Sequence, residues 1–338
     1  MDDYILEEYI KQHIKASTEK IINFSWHGGE PLLAGIEFYT KVLRIQSAYK
    51  PAGKTLVNGI QTNGTLINED WCTFVSENGF IIGMSIDGPE EFHNNFRRTK
   101  DYRATWQQVI RGFKLLKKHG VIPEILCVVN SENVKQPLVI YNFFKQLGAD
   151  YITFLPLVEP EIDSVTRVSR NSVPPEEFGY FLSEIFDEWV ENDIGDIKIQ
   201  IFEEAARAAF GQEHTLCIFK VNCGGVPVVE HNGDFYSCDH YVTTDWLLGN
   251  IMDHSIAGFI DSKRQKEFGR KKSNTLPKVC IECEVRSMCN GECPKNRLIL
   301  SSDGEPGLNY LCKGYKYFFN HCLPFVEAIS EAWKNQGD

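Results

Sequence analysis

Ile21-Ile22-Asn23-Phe24-Ser25-Trp26-His27-Gly28-Gly29-Glu30-Pro31 runs from an apolar strand directly into two glycines, a carboxylate and a proline. Glycine has no side chain to keep a ligand off the backbone, so a strand that ends in Gly-Gly offers main-chain groups for close contact. Two later strands end in the same way. Thr55 to Gln61 runs into Gln61-Thr62-Asn63-Gly64-Thr65, and Phe80 to Ile86 into Ser85-Ile86-Asp87-Gly88-Pro89. Each alone reads as an ordinary strand-to-helix turn. Three such ends on one face of a parallel β/α fold read as a pocket, because the sites of such folds lie at the C-terminal ends of their strands.

Around these strands the sequence alternates. Leu6, Ile10 and Ile14 recur at helical spacing ahead of the first strand. A helix over Ile36 to Tyr49 follows it, and one over Glu69 to Asn78 follows the second. Trp106, Val109, Ile110, Phe113 and Leu116 form the apolar stripe of another helix, closed by Gly120. The strand Glu124 to Val129, the helix Val139 to Leu147 with Gly148, and the strand Tyr151 to Leu157 complete the series. This alternation predicts an α/β fold with a parallel sheet. Five strands are visible, too few for an eight-fold barrel, so a partial barrel is expected.

A polar stretch from Glu159 to Ser172 reads as a linker. Pro174-Pro175 opens an amphipathic helix carrying Phe178, Phe181, Leu182, Ile185, Phe186, Trp189 and Val190. A helix near Phe202 to Phe210 comes next. Val226 to Glu230, the turn His231-Asn232-Gly233-Asp234, and Phe235 to Cys238 predict a hairpin. Tyr315 to Trp333 reads as a closing helix.

The last third also carries eight cysteines: Cys217, Cys223, Cys238, Cys280, Cys283, Cys289, Cys293 and Cys312, in the pattern C-x5-C-x14-C-x41-C-x2-C-x5-C-x3-C-x18-C. Eight thiolates suffice for two four-ligand metal centres, and iron–sulfur clusters and structural zinc both use such sets. Cys72 falls on a helix, Cys127 in an apolar strand and Cys322 on the closing helix, and all three read as core thiols. A formal net charge of −11 argues against nucleic acid or an anionic membrane as the main partner. No apolar run reaches the ~18 residues of a spanning helix, and the acidic start Met1-Asp2-Asp3-Tyr4 is not a signal peptide. A cytoplasmic protein is expected. In that reducing compartment thiols ligate metals more often than they form disulfides.

Trp26-His27-Gly28-Gly29-Glu30-Pro31 resembles the GGEP motif of radical S-adenosylmethionine enzymes. Gln61-Thr62-Asn63-Gly64 and Ser85-Ile86-Asp87-Gly88-Pro89 resemble that superfamily's third- and fourth-strand signatures, and the cysteine array resembles the SPASM extension. The combination is most similar to the anaerobic sulfatase-maturating enzymes. The resemblance implies a partial (β/α)6-type radical SAM barrel lacking its first strand over residues 1–165, bridging helices over 166–216, a C-terminal SPASM iron–sulfur domain over 217–312 and a terminal helix over 313–338. It implies two auxiliary [4Fe–4S] clusters, one on Cys217, Cys223, Cys238 and Cys293, the other on Cys280, Cys283, Cys289 and Cys312. S-adenosylmethionine would lie on Gly28, Gly29 and Glu30, with Ser85 beside it, Arg97 on its carboxylate and Leu157 against its adenine. Asp239, next to Cys238, would be the general base; without the resemblance it reads equally as a turn residue. His27 stands between facing the substrate and being a plain turn histidine.

The implied chemistry oxidises a cysteine or serine of a sulfatase to Cα-formylglycine. A 5′-deoxyadenosyl radical takes hydrogen from the substrate Cβ, Asp239 takes the thiol or hydroxyl proton, and an auxiliary cluster accepts the remaining electron. The partners implied are a sulfatase polypeptide bound as an extended peptide and an electron donor such as flavodoxin or ferredoxin, with no nucleic acid and no membrane. A third [4Fe–4S] cluster belongs to this chemistry, on a C-x3-C-x2-C loop that does not occur in the sequence. The expectation is therefore a chain shortened at its N-terminus, by a start-site error, a fragment or a true truncation, and inactive by itself. The alternatives are another SPASM peptide maturase, such as one that cross-links or epimerises a ribosomal peptide, or a non-catalytic iron–sulfur, peptide-binding protein.

Overall fold

The computed structural model describes residues 1–161 and 168–335. The boundary expected at 165/166, and part of the linker expected over 159–172, lie outside the described residues. The chain runs α1 (Asp3–Ala16), β1 (Ile21–Trp26), α2 (Ile36–Tyr49), β2 (Thr55–Thr62), α3 (Glu69–Glu77), β3 (Ile81–Ser85), α4 (Glu90–Phe96), α5 (Trp106–Lys118), β4 (Glu124–Val129), α6 (Pro137–Leu147) and β5 (Tyr151–Pro156). It continues with α7 (Pro175–Asn192), β6 (Lys198–Ile199), α8 (Gln200–Ala209), β7 (Val228–Val229), β8 (Asp234–Tyr236), β9 (Leu247–Asn250), α9 (Ile256–Asp261), α10 (Lys263–Asn274), α11 (Lys278–Ile281), α12 (Arg286–Cys289) and, after a short hairpin, α13 (Cys312–Asn335).

Among the described residues β1 to β6 form one sheet in sequential order. The pairs β1–β2, β3–β4, β4–β5 and β5–β6 are parallel. Sequential parallel strands joined by helices are the winding of a β/α barrel segment. The sixth strand was not expected: at two residues, Lys198–Ile199 is too short to show a period.

By packing, the chain divides into two compact units. The first comprises 1–61, 73–81 and 221–274. Here Asp2 caps α1 by accepting from the Ile5 amide at 2.9 Å. Leu6, Ile10 and Ile14 are buried against Ile22, Phe24, Val42 and Ile45. The neighbouring side of α1, through Ile5 and Tyr9, meets a second cluster built on Phe235, Ile251, Ile256 and Phe259. Gln12 fixes that contact at both ends of its amide, donating to the Ile251 carbonyl at 2.8 Å and accepting from the Ile256 amide at 2.9 Å. The expected hairpin is present, with β7 antiparallel to β8 and β9 added beside it.

The second unit comprises 62–72, 82–220 and 275–338. Its largest helix contact is α7 against α13, and it forms where two glycines meet. A Cβ on Gly179 would lie 2.7 Å from the Gly314 carbonyl oxygen, and one on Gly314 2.1 Å from that of Pro175. Around this crossing Phe178 packs edge-on to Tyr315, and Phe186 and Phe202 pack on Phe318. The closing helix starts three residues earlier than the sequence suggests, at Cys312, and carries Pro324 inside it. Cys72, Cys127 and Cys322 are fully buried, as expected of core thiols. Burial pushes the Cys72 thiol up to about 11 and the Cys322 thiol to about 12. No described helix is long and apolar enough to cross a membrane.

Candidate active site and iron–sulfur ligands

In the first unit, β1 pairs with β2 from Ile21 opposite Thr55 to Trp26 opposite Ile60, so His27 and Gln61 stand at the same end of the pair. Trp26 is anchored by its indole N–H on Asn58 Oδ1 at 3.0 Å, and Asn58 is clamped in turn by the Gln46 amide. His27, Gly28 and Gly29 are exposed. Gly28 has φ of +128°, and a Cβ on either glycine would meet nothing within 4 Å. The loop therefore presents bare backbone, the surface an ammonium group needs for hydrogen bonds to carbonyls. Glu30 points its carboxylate back at the chain, accepting from the Leu32 amide at 3.1 Å and starting the short turn Pro31–Ala34.

In the second unit, pairing of Ser85 with Leu126 and of Val129 with Pro156 brings the ends of β3, β4 and β5 together. The Ser85 hydroxyl has no hydrogen bond among the described residues. Two residues on, Asp87 is buried at 2% exposure and takes a two-pronged ion pair from Arg97, Nε at 2.6 Å and Nη2 at 3.1 Å. Its Oδ1 also accepts from the Val128 amide at 2.9 Å. Arg97 thus keeps Nη1 for another acceptor. Behind the pair, His93 Nδ1 accepts from the Asp87 amide at 3.4 Å, so Nε2 carries the ring proton and donates to the Thr105 hydroxyl at 3.2 Å. That hydroxyl donates to the Arg97 carbonyl at 2.8 Å. Burial holds the His93 ring neutral, its pKa lowered to about 4. Asn133 Nδ2 bridges the carbonyls of Val128 and Asp87 at 2.9 and 3.3 Å. Leu157 follows β5, half-buried, with its N–H on the Val129 carbonyl at 2.8 Å.

The four cysteines Cys280, Cys283, Cys289 and Cys312 also belong to the second unit, and Cys280 and Cys312 lie within electrostatic reach of each other and of Cys283 and Cys289. Burial first, and the neighbouring thiols with it, pushes Cys312 up to about 11; burial, the Glu292 carboxylate and then the thiols push Cys289 higher still. Between Cys289 and Cys293, Asn290, Gly291 and Glu292 all take left-handed φ, +47°, +71° and +49°. This sends the chain back on itself between two cysteines that the family resemblance would assign to different clusters. Glu292, buried, accepts from Asn296 Nδ2 at 3.2 Å and from Asn309 Nδ2, which pins the turn.

The other four are divided between the units. In the second, Cys217 follows a clamp: buried Glu204 accepts from the amides of Thr215 and Leu216 at 3.0 Å, from the Thr215 hydroxyl, and from His214 Nδ1 at 2.7 Å. Burial alone would raise its pKa; these donors outweigh it and hold the carboxyl down at about 2. His214 Nε2 donates to the Ser287 carbonyl at 2.9 Å, tying the approach to Cys217 to the helix of Cys289. In the first unit, the Cys223 amide donates to the Gly269 carbonyl at 3.0 Å. Gln265 Nε2 donates to the carbonyls of Gly224 and Ser237, at 3.0 and 3.1 Å, so one amide holds the residues beside both Cys223 and Cys238. Cys238 Sγ donates to Asp239 Oδ1 at 3.2 Å.

Among the described residues no group of three or more His, Cys, Asp or Glu converges on one point as the ligands of a single ion do. Ligands at the corners of a cubane stand wider apart. The donor set, eight thiols carried on loops and on the helices α11, α12 and α13, suits iron–sulfur clusters.

Residues 2–144 match the radical SAM superfamily, and residues 223–284 match the SPASM iron–sulfur cluster-binding domain. Over 99% of its length the chain is 42% identical to a serine-type anaerobic sulfatase-maturating enzyme of Bacteroides thetaiotaomicron, of which it covers 84%. The chain belongs to the anaerobic sulfatase-maturating family of radical SAM enzymes. A cysteine-type member from Clostridium perfringens is 32% identical over 96% of this chain and 87% of its own. The solved structure "Native anSMEcpe with bound AdoMet and Cp18Cys peptide" superposes with a TM-score of 0.90 at 32% identity, covering 98% of this chain and 92% of that one. The α/β fold and the radical SAM plus SPASM organisation expected from the motifs are those of this family.

Several residues of this site were not singled out in the sequence. Asp87 stands inside the quoted Ser85-Ile86-Asp87-Gly88-Pro89, and a carboxylate ten residues before Arg97 was its only signal. Asn130-Ser131-Glu132-Asn133 has the composition of a side-chain-capped turn. Glu204, His214 and Gln265 give no local signal; tertiary contacts alone reveal them.

Proposed function

We propose that this chain is the core of an enzyme that oxidises a cysteine or serine side chain of a sulfatase, bound as an extended peptide, to Cα-formylglycine. S-adenosylmethionine and its iron–sulfur clusters supply one-electron hydrogen abstraction at the substrate Cβ and a sink for the second electron. The residues here do the rest. The open backbone at Gly28-Gly29 accepts from the cofactor's ammonium group, and Glu30 holds that loop in shape. Arg97, kept rigid by Asp87, presents Nη1 to its carboxylate. The unengaged Ser85 hydroxyl offers a further hydrogen bond, and Leu157 supplies apolar contact for the adenine. Cys217, Cys223, Cys238 and Cys293 hold one auxiliary [4Fe–4S] cluster, and Cys280, Cys283, Cys289 and Cys312 the other.

Asp239 is the base. A cysteine that ligates iron does so as thiolate and has no proton to donate. Once Cys238 is a ligand, its hydrogen bond to Asp239 ends and the carboxylate is free to take a proton from the substrate. Serine loses two hydrogens and becomes the aldehyde directly; cysteine passes through a thioaldehyde, whose hydrolysis releases sulfide.

The observation that carries this reading is the near-complete match to maturating enzymes together with eight cysteines, of which Cys217, Cys223 and Cys238 stand beside braced backbone and Cys312 starts a helix. The radical-generating cluster loop is not among these 338 residues, so the residues by themselves are proposed not to cleave S-adenosylmethionine. Its electron donor is proposed to be a flavodoxin or ferredoxin, and its compartment the cytoplasm. The test uses a polypeptide in which a C-x3-C-x2-C loop precedes this sequence, incubated anaerobically with S-adenosylmethionine, reductant and sulfatase-derived cysteine and serine peptides. Mass spectrometry should show formylglycine in at least one peptide; cofactor cleavage with both peptides unchanged would reject the assignment in favour of another maturase.

A further inference from the structure

Helix α10 concentrates positive charge. The chain has 46 acidic residues against 35 Lys and Arg, yet six of those 35 stand on the 12 residues of α10, with Glu267 the one carboxylate among them. Lys263, Arg264, Lys266, Arg270 and Lys271 are exposed. Lys266 pairs with Asp261 at 3.2 Å and Lys263 with Glu267 at 3.7 Å, both on the open surface. A basic run is ordinarily just a solvated face. This one is different because of what its other side holds.

The buried side of α10 is the platform for two cluster cysteines. Gly269 receives the Cys223 amide, and a Cβ there would lie 2.7 Å from the Cys223 carbonyl oxygen, so loop and helix are in direct contact. Gln265 fixes the residues beside Cys223 and Cys238. A hollow of about 280 Å³ opens at this junction, lined by Cys223, Gly224, Gln265 and Gly269, with Lys266 and Arg270, one helical turn apart, among its walls. The hollow thus joins solvent, two cations and a cysteine assigned to a cluster.

We propose that the α10 face is the docking surface for an acidic one-electron carrier protein, which exchanges electrons with the cluster held in part by Cys223 and Cys238. This rests on the cluster assignment above. Each exchange moves one electron between carrier and cluster, and no bond is made or broken in the protein. Positive charge around the hollow steers an acidic partner and orients its redox group toward the Cys223 loop. On a protein of net charge −11, a basic face backed by two cluster cysteines favours one orientation of such a partner.

The test is titration calorimetry of the anaerobically reconstituted full chain with a purified acidic flavodoxin. Binding is expected at low ionic strength and should be lost at ~0.5 M salt, where the Debye length is a few ångströms. Lys266→Glu with Arg270→Glu should weaken it at least tenfold at unchanged iron content. If that pair loses iron or fails to fold, Lys266→Gln with Arg270→Gln takes its place with the same direction of effect. Arg111→Glu with Lys114→Glu, on the other basic groove along α5, should leave binding unchanged. Wild-type affinity in the α10 variants, insensitivity to salt, loss of binding in the α5 variant, or no binding to the wild type overturns the proposal. The last outcome leaves the formylglycine reading intact, because chemical reductant drives that assay without a carrier.

Discussion

Asp87 shows how much of a site can rest on one carboxylate. It fills both prongs of Arg97 from a position that is 2% exposed, and removing one partner of such a pair strands a charge at a cost of several kcal/mol. Arg97→Lys cannot bridge Asp87 and a ligand with the same planar fork. It should raise the S-adenosylmethionine dissociation constant about tenfold, ~1.4 kcal/mol, in equilibrium dialysis on a polypeptide carrying the radical-generating loop. Unchanged affinity would remove Arg97 from the cofactor site. Asp239→Asn on the same polypeptide should abolish aldehyde formation and leave cofactor cleavage largely intact; full aldehyde yield would dismiss Asp239 as the base. Glu204 tests the brace ahead of Cys217. Its folded pKa near 2 lies below the ordinary 4.5, so its contribution is fully present above pH 4.5 and drains away as pH falls toward 2. Glu204→Gln should flatten that acid dependence in urea melts and cost on the order of 2–3 kcal/mol at neutral pH. The sequence shows Gly28, Arg97 and the cysteines because spacing and motif expose them. Glu204 and Gln265 stay silent, since their meaning is a hydrogen bond across folded distance.

Elements were legible in proportion to their periodicity. β1, α2 and β4 run over the residues expected, and α5, with five buried residues on one stripe, could hardly be missed. α4 was missed because His93 is its one buried residue, so there is no stripe to see. α10 was missed for a related reason: its apolar content is little more than Phe268 among cations. The α7–α13 crossing, by contrast, depends on the absence of side chains. Gly314→Ala puts a methyl 2.1 Å from the Pro175 carbonyl oxygen, and the helices must part. Overpacking of this kind costs about 1–3 kcal/mol, and the lowered melting temperature of the variant should come with loss of the near-ultraviolet signal of the surrounding aromatic rings. A variant as stable as the wild type would mean the crossing is looser than described.

At the scale of the whole molecule, the cysteines unite what the barrel motifs and the fold each suggest separately. Of the eight, Cys223 and Cys238 belong to the first unit and the other six to the second. Metal binding to such sites is coupled to folding, since ligands scattered along the chain meet only in the native state. The measurement that bears most directly on this is iron and sulfide analysis, with Mössbauer spectroscopy, of the 338-residue chain reconstituted without oxygen. Two [4Fe–4S] clusters require about eight irons and eight sulfides per chain, in brown protein free of zinc. Colourless protein holding tetrahedral zinc, or no metal at all, would contradict the account at its base.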